Sequence, residues 1–178
     1  MAAPAPHERL VDLATGSGLL LRRLAQRPTR PGEAIGVDHA PRMLAHVGAL
    51  PHGWSTIGAD VRHIPLPDGW ADVVTCSYLL HLLDSEARAE VLAEARRLLA
   101  PRPSARLVVV TVWSPRPAVR GVLGILARAR PVACGGLRPL DPNADLASAG
   151  LVLTHRVVLP RHGYPSLVLG AKAAPETC

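Results

Sequence analysis

The chain has 178 residues, 48% of them apolar, which suits one domain with a sizeable core. Its net charge of +6 is carried by scattered arginines, with Lys172 the only lysine, while aromatics make up 3% and Phe is absent. A nucleic-acid platform is therefore disfavoured against a solvated basic face.

No apolar run approaches the roughly 18 residues of a membrane span, and Met1 to Pro6 lack a signal pattern, so a cytoplasmic protein is expected. Cys76, Cys134 and Cys178 fit neither a disulfide framework nor a zinc site and read as free thiols. The abundance of Arg, Ala, Pro and Leu fits a GC-rich, bacterial coding sequence.

In chain order, Arg9 to Gly18 reads as a short apolar strand over Leu10, Val11 and Leu13, carrying Asp12. A small-residue turn follows through Ala14, Thr15, Gly16, Ser17 and Gly18, where missing side chains let backbone approach a ligand. A helix is expected from about Ser17 to Arg27, with unpaired N–H groups in its first turn. Pro28 and Pro31 close it, and Glu33 to Asp38 forms a second strand ending in an acid. Asp38 suits two roles that can coexist: accepting ribose hydroxyls at a carboxyl strand end, or capping a helix from His39 to about Leu50.

Trp54 to Ala59 reads as a third strand leading to Asp60 and Val61, and Asp72 to Ser77 as a fourth. Ser85 to Leu99 reads as a scaffold helix with an inward stripe of Ala87, Val91, Ala95, Leu98 and Leu99. Arg106 to Trp113 is continuously apolar, as in a parallel sheet covered on both faces. Helices are expected near Ala118 to Ala129 and Asp141 to Ala149. Leu151 to Leu159 and Ser166 to Ala173 then form an antiparallel hairpin around the turn at 160–165. The expected fold is α/β: a Rossmann-like, doubly wound sheet of about seven strands, mostly parallel, in a single domain over 1–178, with N-terminal cover helices short or absent.

A dinucleotide fold wants G-x-G-x-x-G, whereas Leu19, Leu20 and Leu21 follow Gly18, and no Gly-Lys-Ser/Thr marks a phosphate loop. Asp12 with Ala14, Gly16 and Gly18 instead resembles the first motif of class I S-adenosylmethionine-dependent methyltransferases, with Ala14 in place of the first glycine. Gly36-Val37-Asp38-His39-Ala40-Pro41-Arg42-Met43-Leu44 resembles the family's second landmark, G-x-D-x-S-x-x-M-L, with Ala40 in place of Ser. Asp60 matches the acid that meets the adenine amino group in that family, and Val61 the residue that packs on the ring. Asp68 to Ser77 is similar to its P-x-x-x-F-D-V-V strand. The resemblance covers about Leu10 to Ala100 and points to the small-molecule, UbiE-like group.

That resemblance implies S-adenosyl-L-methionine as cofactor, bound by Asp12, Ala14, Thr15, Gly16, Ser17, Gly18, Asp38, His39, Met43, Asp60, Val61 and Cys76. The implied partner is a small-molecule acceptor, with Tyr78, His81 and Trp113 as candidates for its wall. His81 is also the candidate base, since a histidine titrates near neutrality, its other reading being a packing residue. Cys76 lacks the preceding proline of pyrimidine-methylating enzymes, and the Asn/Asp-Pro-Pro-aromatic motif of amino-methylating ones is missing. No metal-ligand spacing occurs. The short lead before the first strand leaves three arrangements: an open pocket, a homodimer partner that covers it, or cover by the Arg-rich segment after Trp113. A non-catalytic cofactor binder and a nicotinamide-dependent oxidoreductase stand as the alternatives.

Overall fold

The protein is described by a computed structural model over residues 3–129, 138–159 and 165–174. Four short strands, β1 (Arg9–Leu13), β2 (Glu33–Asp38), β3 (Trp54–Gly58) and β4 (Val73–Ser77), pair in parallel, and β5 (Arg106–Val112) extends them beside β4. The hairpin β6 (Leu151–Leu159) and β7 (Ser166–Ala173) completes one seven-stranded sheet in the order β3-β2-β1-β4-β5-β7-β6. β7 runs antiparallel between β5 and β6, as the two terminal apolar segments imply.

Helices cover both faces, which is why the central strands carry no alternation of polar and apolar residues. On one face, α1 (Leu19–Ala25) inserts Leu21 and Leu24 against Leu10, Trp54 and Val73. On the other, α3 (Ser85–Leu98) presents Val91, Leu92, Ala95 and Leu98 to Val74, Leu107 and Val109. Each fully buried leucine contributes about 1.5–3 kcal/mol relative to exposure, so this double layer carries the fold. Asp84 caps α3 by accepting the Ala87 N–H at 2.9 Å. The inward stripe of α3 differs from the expected one: Ala87 is only half-buried, while Leu92 and Glu94 lie inside. Glu94 is accommodated because Arg97 and the Ile64 N–H both donate to it, which holds its carboxyl below the usual range despite burial.

The short helices depart from expectation. α1 starts at Leu19, because Gly16 (φ +58°) and Gly18 (φ +74°) keep the turn left-handed through its N-cap. α2 (Pro41–Leu44) stops well before Leu50. None of its residues is buried, so no packing extends it, and Gly48 at φ +74° breaks the path. α4 (Pro117–Ala129) follows β5, and α5 (Asn143–Ser148) buries Leu146. The hairpin turn falls outside the described residues except for Pro165, as do Cys134 and Cys178.

Candidate active site

The carboxyl ends of β1, β2 and β4 lie level, since Leu13 pairs with both Val37 and Cys76. The turn after β1 is fixed there by three contacts. The Thr15 N–H donates to Val37 O at 2.9 Å, the Gly16 N–H to Asp38 Oδ2 at 2.8 Å, and the Gly18 N–H to Thr15 O at 2.9 Å. Ala14 sits at φ +54°, a conformation that favours glycine and costs other residues about 1–2 kcal/mol. Gly16 and Ser17 stay partly exposed, with the Met43 side chain over Gly16.

Asp12 is not a surface ligand. It is buried, and its two oxygens accept the Thr15 and Thr75 hydroxyls at 2.7 Å each. Burial pushes its carboxyl up to about 6, against the pull of both hydroxyls, with the Asp38 charge adding to the rise. The motif implies that Asp12 contacts the cofactor, and the structure places it beneath Thr15 at the base of the turn. Cys76 packs in the core, and burial pushes its thiol up to about 12.

Asp38 closes the turn from β2. Besides Gly16 it accepts the Ala40 N–H at 2.9 Å, so it braces the start of α2, while the N-cap position itself falls to Ala40. His39 projects into solvent with its side chain 87% exposed. Arg22 of α1, not singled out from the sequence, donates to Ser17 O and also to His46 O and Val47 O at 3.3 Å each. It thereby ties the glycine turn to the chain beyond α2. No sequence signal marks it, because its acceptors are backbone carbonyls brought in by the fold.

The third strand delivers Asp60 to the same edge, since Asp38 pairs with Gly58 and the Ala59 N–H donates to Asp38 O at 3.2 Å. Asp60 accepts from Arg62 through Nε at 3.0 Å and Nη2 at 2.6 Å, which lowers its carboxyl to about 2. Val61 is half-buried against the core.

Tyr78 lies just beyond β4, its N–H bonded to Val110 O at 2.8 Å, and holds φ +57°. Such backbone strain in a non-glycine residue concentrates at functional sites. Its hydroxyl meets Ser166 Oγ at 2.8 Å, and its ring stands edge-on to His81 at 6.1 Å. His81 is 3% exposed, and neither ring nitrogen has a hydrogen-bond partner among the described residues. Burial lowers its pKa by disfavouring the charged imidazolium. Thr111, near the end of β5, also carries a buried hydroxyl without a partner there. Trp113 follows β5, and the Arg156 guanidinium lies 4.8 Å from its ring centre, itself held by Asp141 at 3.0 Å.

Residues 10–102 match a family described as a methyltransferase domain. The ubiquinone/menaquinone biosynthesis C-methyltransferase UbiE of Paraburkholderia phymatum is 35% identical over 118 residues, covering 62% of this chain and 46% of that protein. The chain thus spans about half the length of the curated relatives it matches. Among solved structures, YcgJ of Bacillus subtilis superposes with a TM-score of 0.73 at 17% identity, covering 98% of this chain and 95% of that one. The magnesium protoporphyrin IX methyltransferase of Synechocystis, solved with bound SAH, gives a TM-score of 0.67 at 20% identity, covering 95% and 75%.

Proposed function

This chain belongs to the methyltransferase domain family, and from that premise we propose that it transfers a methyl group from S-adenosylmethionine to a small-molecule acceptor. The observation that carries the reading is the joint placement of Asp38 and the Ala14–Gly18 turn, a carboxylate and a bare backbone corner within hydrogen-bond reach at neighbouring strand ends. This donor set fits the cofactor. The turn backbone of Gly16 to Gly18, with Thr15 and Ser17, borders its amino-acid part, while Asp38 has lone pairs left for the ribose hydroxyls. Asp60 and Val61 border the adenine, with His39 and Met43 at the rim.

S-adenosylmethionine supplies an electrophilic methyl on a positive sulfonium. The protein's own task is then alignment and exclusion of water, and proximity alone is worth on the order of 7–11 kcal/mol. Tyr78 and Trp113 form the acceptor wall, where the Tyr78–Ser166 bond fixes one ring and Arg156 the other. His81, neutral and without a protein partner among the described residues, takes the proton of an oxygen or carbon acceptor. The proposal includes a bacterial, cytoplasmic setting, in line with the bacterial relatives. It also takes the acceptor as a small molecule rather than nucleic acid, since many of the arginines hold separate carboxylates.

Transfer of an isotopically labelled methyl to a panel of phenols, quinols and amines tests the reading. At least one acceptor is expected to gain label, and His81→Ala to lower that rate at least tenfold while leaving cofactor affinity unchanged. Cofactor binding without transfer to any member would mark a non-catalytic relative.

A further inference from the structure

At the end of the sheet opposite this corner, the loop between α3 and β5 and the last residues of β7 enclose a groove of about 600 Å³. That is within the range of small-ligand sites, roughly 300–1,000 Å³. Its floor is apolar: Leu99, Ala100 and Ala105 are each at most 5% exposed, flanked by Pro101 and Pro103. Arg96, Arg102 and Lys172 line it, and no acid does among the described residues.

Each cation is held in place by one protein acceptor and keeps further donors. Arg102 pairs with the buried Asp72 at 3.0 Å, and Lys172 Nζ donates to Pro103 O at 2.5 Å. Arg96 donates to Ala149 O at 3.3 Å, its guanidinium lying against Gly150, where any Cβ would collide with it. Among the described residues, only Arg102 of the three pairs with a carboxylate. Arg97, the next residue in α3, binds both Glu94 and Asp68, whereas Arg96 and Lys172 have no carboxylate among the described residues. Two oriented cations without a carboxylate partner among the described residues, beside an apolar floor, form a pre-arranged receptor for an amphiphile of opposite charge.

We propose that this groove binds a small amphiphilic anion, its oxyanion head on Arg96 and Lys172 and its aliphatic or aromatic body on the Leu99–Ala105 floor. The site stands apart from the methyl-transfer reading, sharing no residue with it, and neither depends on the other.

Titration of the full chain with hexyl phosphate, followed by amide chemical shifts, provides the test. Saturable shifts are expected at 99–105 and 172–174, with inorganic phosphate and hexanol each binding at least tenfold more weakly. The pair R96Q/K172Q is expected to weaken hexyl phosphate at least tenfold, and K172Q alone at least threefold, with unchanged amide shifts elsewhere attesting the fold. Absence of saturation, wild-type affinity in both variants, inorganic phosphate binding as tightly as the ester, or shifts centred on Arg62 instead would each overturn the proposal.

Discussion

Replacing Asp38 with alanine is expected to weaken S-adenosylmethionine binding at least a hundredfold, about 2.7 kcal/mol. Two losses combine. The carboxylate that the ribose hydroxyls would meet disappears, and the N–H groups of Gly16 and Ala40, now 2.8 and 2.9 Å from its oxygens, are left without their acceptor. A stranded donor costs about 1–3 kcal/mol when fully buried and less at these half-buried positions. The turn then loses one of its two ties to β2, keeping the Thr15 N–H to Val37 O bond, while the core layers packed on α1 and α3 are untouched. Calorimetric titration of D38A beside wild type, with circular dichroism to establish folding, reads the effect. An affinity within threefold of wild type would remove Asp38 from the site.

Gly18→Ala is expected to destabilise the protein by about 3 kcal/mol, a large share of the roughly 5–15 kcal/mol that holds a domain folded. At φ +74° a side chain meets left-handed strain of about 1–2 kcal/mol. The new Cβ would also lie 2.8 Å from Val47 Cγ1, so the segment after α2 must move, at a further cost of about 1–3 kcal/mol. Gly48→Ala separates the two causes: it shares φ +74°, but nothing lies within 4 Å of the added carbon, so about 1 kcal/mol is expected there. Urea unfolding of the two variants provides the comparison. Equal losses would mean that Val47 does not hold the turn.

Both predictions concern a corner whose parts were legible in the sequence to different degrees. The central apolar strands, the small-residue turn, the acid ending β2 and the one just beyond β3 are readable, because burial on both faces demands unbroken Val, Leu and Ile, and a ligand corner demands glycine. The antiparallel β7 was readable as well, from two apolar segments flanking a Pro- and Gly-containing turn. The fate of each carboxylate was not. Asp12, Asp38 and Asp60 look alike in sequence, yet the first is sealed under two threonines, the second braces backbone N–H groups and the third carries Arg62. Those differences depend on partners up to 63 residues away, which local pattern does not encode. The extent of α2 is not legible for a related reason: the residues from Pro41 onward lack an inward stripe, and without packing a single turn is all that forms.

A nucleoside cleft where Asp38 meets the glycine turn is tested most directly by calorimetric titration of the wild-type chain with S-adenosylmethionine, S-adenosylhomocysteine and NAD. Saturable one-to-one binding of the first two, with no heat from the dinucleotide, is the predicted result. Saturation by NAD with no response to either sulfur nucleoside would contradict it.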